Sequence, residues 1–220
     1  MNLPFTPAQF FDVFAAYNTA VWPAQIPLKL AALVVLWWIY RGNPASGRWI
    51  SAVLAALWAW MAVVYHFAFF TAINKAAWLF GAVFLVGALA FLWRGTILHR
   101  LQFGIRGDAR GWAAYALIVF ALAVYPALGQ AFGTEYPAAP TFGLPCPTTI
   151  FTIGVLLLAK SDARAVLVVP ILWAAVGSTA AFALGVYQDL GLLVAGLVGL
   201  LGMRHKRTTS AFSIPTTPSG

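Results

Sequence analysis

The stretch WISAVLAALWAWMAVVYHFAFFTAI, Trp49–Ile73, runs for 25 residues without an Asp, Glu, Lys or Arg. Wound as a helix at about 1.5 Å per residue it is ~37 Å long. That is enough to cross a hydrocarbon core of about 30 Å. Six further apolar segments flank it, at 24–40, 76–93, 112–130, 145–159, 163–184 and 186–203. Short polar breaks separate them, so the chain reads as an all-α integral membrane protein, a seven-helix transmembrane bundle. Composition agrees. The 220 residues are 62% hydrophobic and 8% charged, against about 25% charged in a soluble domain.

The basic residues give this count an independent test. Lys and Arg concentrate in cytoplasmic loops. Arg41 and Arg48 lie in the first break, Arg94, Arg100, Arg106 and Arg110 in the third, and Lys160 and Arg164 in the fifth. Arg204, Lys206 and Arg207 open the tail. Eleven of the 13 Lys and Arg therefore fall on one side, leaving Lys29 and Lys75 for the other. The alternation predicts an outer N-terminus and a cytoplasmic C-terminus. Residues 1–207 form one transmembrane domain on this reading, and 208–220, rich in Ser, Thr and Pro, form a disordered cytoplasmic tail. The net charge of +8 is accounted for by topology, so nucleic acid is not an expected partner. The expected partner is the lipid bilayer, with anionic lipids a candidate ligand of Arg94, Arg100, Arg106 and Arg110.

Thr6, Pro7 and Gln9 carry a helix-start signature: a capping box with proline at the first helical position. Phe5 and Phe10 stand where a hydrophobic staple would. Residues 6–20 are aromatic-rich and predict an interfacial helix lying along the bilayer, or one packed on the rest of the protein. Gly191, Ala195, Gly199 and Gly202 in the last segment, with Gly177 and Ala181 before it, form small-residue faces for close helix packing. A homo-oligomer contact is the other use of such a face.

The best pointer to a site is GTEYPAAPTFGLPCPTTIFT, Gly133–Thr152. Pro137, Pro140, Pro145 and Pro147 forbid regular helix through it. The helix after it is short, about 18 Å for 148–159, so the Pro-rich outer loop is expected to dip below the membrane surface. Non-helical backbone at that depth is tolerated only inside protein or beside a cavity. Cys146 falls at the expected N-cap, where the helix dipole favours a thiolate, with Thr148 and Thr149 in the first turn. A small buried cysteine beside a structural proline is the plainer alternative. His66 is the only histidine inside an apolar segment, and intramembrane ionisable residues are functional candidates by default. Glu135 and Asp189 fall on the same outer side.

His66 and Cys146 offer soft and borderline metal ligands, and a helix N-terminus offers an anion site. The sequence does not choose between metal and anion, and no motif implies a cofactor. A retinal lysine is missing from the last segment, and a second intramembrane histidine for bis-histidine haem is missing too. One cysteine excludes an internal disulfide.

FFDVFAAYNTAVWPAQ (Phe10–Gln25), YHFAFFTAIN (Tyr65–Asn74) and YPAAPTFGLPCPTTIFTIG (Tyr136–Gly154) resemble an uncharacterised family of bacterial multi-pass membrane proteins, a domain of unknown function. The proline–cysteine–proline segment is the most distinctive part. The resemblance implies a bacterial inner membrane and carries no activity. Three functions stay open: a permease or channel-like protein with a small-solute or metal-ion site open to the outside; a non-transporting accessory or scaffold subunit; and a membrane-embedded enzyme using Cys146 or a bound metal. The orientation is checked directly: a membrane-impermeant thiol reagent should label Gly133→Cys from outside and leave Gly107→Cys untouched, and the opposite pattern would invert the topology.

Overall fold

The computed structural model describes residues 4–204. The expected tail at 208–220, with Lys206 and Arg207, lies outside the described residues. Among the described residues the chain folds into eight helices: α1 (Pro7–Val21), α2 (Gln25–Arg41), α3 (Ser46–Ala72), α4 (Ala77–Ile97), α5 (Ala109–Ala131), α6 (Pro145–Leu157), α7 (Arg164–Ala183) and α8 (Leu190–Arg204). Each of the seven apolar segments has become a helix. The seven-span reading is narrowed, however. Only α3, α4, α5 and α7 are long and apolar enough to cross a membrane, and a bent pair, α1 with α2, would make five. Length is the physical reason: α2, α6 and α8 have 17, 13 and 15 residues.

The capping box at the N-terminus is formed. Gln9 N–H donates to Thr6 Oγ1 at 3.3 Å, and Thr6 N–H donates to Gln9 Oε1 at 2.8 Å. The staple pair Phe5 and Phe10 stacks with ring centroids 5.8 Å apart. α1 then meets α2 at 86°. One face of α1, with Phe10, Phe14, Tyr17 and Asn18, is buried against the rest of the protein.

α6 is the pillar of the fold. Twelve of its 13 residues are buried, as expected of a helix apolar all round. α5, α7 and α8 pack around it. α3 reaches it through Trp58, whose Nε1–H donates to Thr152 Oγ1 at 3.1 Å. The small-residue face of α8 is spent on this packing. A side chain at Gly202 would strike Leu157, and one at Gly199 would press on Ile153 and Ile171.

Both ends of the pillar are covered by irregular chain. At one end Pro140, Phe142, Gly143 and Leu144 are buried, so the second half of the Pro-rich loop folds inward against the protein. At the other end the extended segment before α5 runs antiparallel to the exit of α6. Gly104 N–H donates to Leu158 O at 3.2 Å, and Lys160 N–H donates to Gln102 O at 2.8 Å. Leu101 and Phe103 are buried there.

Three of the long helices contain π-helical turns, at Met61–Phe67, Leu92–Ile97 and Phe120–Val124. Such turns are rare. The third ends two residues before Pro126, whose ring would otherwise crowd a carbonyl one turn back. The first carries Tyr65 and His66.

Asn18 of α1 holds the Pro-rich loop at several points. Asn18 Nδ2 donates to Pro137 O at 2.6 Å and to Ala139 O at 2.8 Å. Asn18 Oδ1 accepts from Gln25 Nε2 and from Thr141 Oγ1, each at 2.7 Å. Asn18→Ala removes all four bonds and leaves buried groups unpaired at about 1–3 kcal/mol apiece. A drop in stability of about 2–4 kcal/mol is expected in detergent melts, with faster proteolysis at Gly133–Ala139. In α6, a Cβ added at Gly154 would meet Ile118 at 2.8 Å and the Ala114 carbonyl at 3.1 Å. Gly154→Val should cost about 1–3 kcal/mol by overpacking, measured by the same melts.

Candidate functional site

A cavity of about 140 Å³ lies at the Pro-rich end of the fold. An apolar hole of about 150 Å³ accepts a molecule the size of benzene. Its wall is built from six parts of the chain, with Phe80 from α4. Phe10 and Phe14 come from α1, Tyr65 and Phe70 from the end of α3, and Tyr125 from α5. Leu144, Pro145, Cys146 and Pro147 come from the loop and the start of α6, and Trp173, Gly177 and Ala180 from α7. Val176, Thr179 and Ala183 line it on exposed positions of α7, so its mouth opens at the flank of the bundle.

The aromatic wall is self-supporting. The rings of Phe5, Phe10, Phe14, Tyr17, Tyr65 and Phe70 stack or meet edge-on within about 6 Å of one another. Tyr17 ties the wall to the loop: its hydroxyl donates to Gly143 O at 3.3 Å and accepts from Trp60 Nε1 at 2.8 Å. The three stretches whose resemblance was noted from sequence thus converge on one chamber.

Cys146 is the one residue of α6 that is not fully buried, and it faces this chamber. Its helix starts two residues earlier than expected, with Leu144 as N-cap and Pro145 at the first position. Pro145 and Pro147 have no N–H. They remove two donors that a helix N-terminus would otherwise turn towards an anion. Thr148 does not supply a free hydroxyl either. Its Oγ1 accepts from Gly143 N–H at 3.0 Å, and its carbonyl accepts from Thr152 Oγ1 at 2.7 Å. Thr149 Oγ1 is buried without a partner and lies off the cavity lining.

Asp189 is brought to this region from the other end of the sequence. It is 1% exposed, and its Oδ1 accepts from the Tyr125 hydroxyl at 2.6 Å. The Cys146 thiol lies beside the same carboxyl group. Tyr125, Asp189 and Cys146 therefore form one polar line behind an apolar chamber. Trp173 adds a donor. The residue is 8% exposed, and its indole N–H lies beside the Cys146 thiol.

His66 and Glu135 do not join this group. His66 is completely buried, and its ring packs against Tyr65, Phe70, Phe80, Phe84 and Trp173. Neither of its nitrogens has a hydrogen-bond partner, so it forms no dyad with Cys146. Glu135 is exposed on the loop and off the lining. Among the described residues no three His, Cys, Asp or Glu come together to hold a metal ion. Sequence reasoning missed Trp173, Tyr125 and Asn18. Tyr125 is adjacent to Pro126, and that proline in an apolar helix was the available signal for it.

At the opposite end of the bundle, Arg106 Nη2 pairs with Asp108 Oδ2 at 2.5 Å. Asp108 also caps α5 by accepting from Gly111 N–H at 2.9 Å. The Arg106 hydrogen bond, with that backbone bond, holds the Asp108 carboxyl well below the usual carboxylate range.

No curated protein and no solved structure matches the chain. One family model does, across residues 7–213, and its description is a family of unknown function, DUF6064. That match takes in the α1 wall, the Pro-rich loop, Cys146 and Asp189 together, and the chain accordingly belongs to the DUF6064 family.

Proposed function

We propose that this protein is a seven-pass protein of the bacterial cytoplasmic membrane, with an outer N-terminus, that receives a small, uncharged, largely apolar solute in the chamber beside Cys146, in the manner of a permease. The observation that carries the reading is the chamber itself: about 140 Å³ of space walled by aromatic rings, with one thiol and an indole N–H beside it. Apolar walls with a few placed polar groups are the ordinary composition of a small-molecule site. The membrane part rests on the apolar segments, on the side-to-side asymmetry of Lys and Arg, and on the surface. Trp37, Leu79, Leu89, Trp112 and Phe182 are exposed while Asn18, His66, Thr152 and Asp189 are buried, the reverse of the usual soluble pattern.

The short α6 fits a pass in one way. α6 is sheathed by other helices, and irregular chain extends it at both ends, which is permitted at membrane depth where protein covers it. An apolar solute suits the chamber better than a hydrated metal ion or an anion. The helix N-terminus has lost donors to two prolines, and His66 stands among rings. Movement of a solute onward would require α1 and the loop to shift, since α6 is closely packed on every side.

The test uses Cys146, the chain's only cysteine. In membrane vesicles, uncharged methyl methanethiosulfonate should modify it at least about tenfold faster than a sulfonate-bearing analogue of similar size, because a charge pays several kcal/mol to enter apolar surroundings. Benzene should protect it, and Ala180→Trp, which fills the chamber, should abolish the reaction. Equal rates for the two reagents, or no protection by benzene, would favour the accessory-subunit reading.

A further inference from the structure

The basic residues at the end remote from the chamber are not spread evenly over the loops. Arg106, Arg110, Lys160 and Arg164 line a single depression of about 590 Å³. It is formed where the segment before α5, the α6–α7 turn and the end of α8 meet. Arg94 and Arg100, which the sequence grouped with Arg106 and Arg110, do not line it. Lys160 and Arg164, which the sequence assigned to a different break, do.

The lining is graded. Ala159, Ala163, Leu167 and Gly202 supply an apolar floor, and Ala163 and Leu167 are buried. The cations stand around it, with Ser161 and a single carboxylate, Asp162. Arg106 is matched by Asp108. Arg164 and Asp162 are 3.8 Å apart with both side chains at least half exposed, a geometry worth little in water. Among the described residues Arg110 forms no ion pair with a carboxylate. Its Nη2 donates a long 3.4 Å bond to Leu156 O, at the exit of α6, and its Nε is shielded from solvent without a partner. Arg110 lines the depression, and its guanidinium fork suits the oxygens of a phosphate.

We infer that this depression is a binding site for a phosphate-bearing anion, seated as the headgroup of an anionic phospholipid. The cations take the phosphate, and the apolar floor takes the first carbons of the lipid. Basic pockets between helix ends are known to hold such headgroups on the cytoplasmic side of membrane proteins. The site is separate from the chamber at Cys146, and the two linings share no residue.

The test is a thermal melt of the purified full chain in neutral detergent, with phosphatidylglycerol, phosphatidylcholine or inorganic phosphate added. Phosphatidylglycerol should raise the melting temperature and phosphatidylcholine should not. Arg110→Gln with Arg164→Gln should weaken the lipid effect about fivefold for each cation removed. Arg41→Gln with Arg48→Gln, which removes equal charge elsewhere, should leave it intact. If the double variant fails to fold, Arg164→Gln alone, on the exposed rim, carries the same comparison. A matching shift with inorganic phosphate, lost in the same variant, would support the anion site with free phosphate as its source. Equal shifts from the two lipids, or a phosphatidylglycerol shift that survives loss of Arg110 and Arg164, would overturn the inference.

Discussion

The burial of α6 on all sides is the constraint from which the rest of this structure follows. A helix sheathed by neighbours has no solvent at its ends, yet its terminal N–H and C=O groups still need partners. The first turn meets the demand by composition and by a local bond. Pro145 and Pro147 have no N–H to satisfy, and the Thr148 N–H donates to Leu144 O at 3.3 Å. The last turn meets it with a borrowed strand-like segment, Gln102–Gly104, whose backbone pairs with Leu158 and Lys160. The Pro-rich loop and the segment before α5 can therefore be understood as the two caps of one buried helix. The 3.4 Å reach of Arg110 to Leu156 O belongs to the same logic at the basic end.

The parts of the fold legible in sequence were those set by one-dimensional patterns. Apolar run lengths gave every helix from α2 to α8 close to its observed ends. The Thr6–Gln9 capping box and the Phe5–Phe10 staple were likewise readable, because each depends on neighbours in the chain. What sequence does not encode locally is which helix sits in the middle. The shortness of α6 pointed to a buried loop end, but its central position depends on α3, α5, α7 and α8 at once. The π-helical turn carrying Tyr65 and His66 left no comparable local mark.

The candidate site divides in the same way. Cys146 was placed beside a cavity on positional grounds, and Asp189 was assigned to the same side; the structure sets the two against each other, with Tyr125 as the third member. Thr148 and Thr149 were grouped as first-turn hydroxyls, whereas the fold gives one to the loop backbone and turns both from the chamber. His66 was singled out because ionisable groups are rare in apolar helices, but the aromatic rings that enclose it come from α3, α4 and α7 and cannot be counted from its own segment. Asn18 was visible only as one polar residue on an aromatic helix. Its four hydrogen bonds span more than 110 positions of sequence apart from that to Gln25, and no local pattern reports pairings of that range.

The chamber and the basic depression stand at opposite ends of the same pillar. Pro145, Cys146 and Pro147 form part of the first, while Ala159 and the Leu156 carbonyl, through Arg110, border the second. Between them α6 is packed without a free face, and a Cβ added at Gly154 would meet α5. Close-packed interiors transmit displacement because they cannot absorb it. A change in the seating of Cys146 would therefore be carried by a rigid helix and not dissipated by slack side chains. The polar line Tyr125–Asp189–Cys146 reinforces this, because it joins the start of α6 to α5 and to the entry of α8. The helices that wall the chamber are thus the same ones whose far ends frame the depression, α5 and α7 among them.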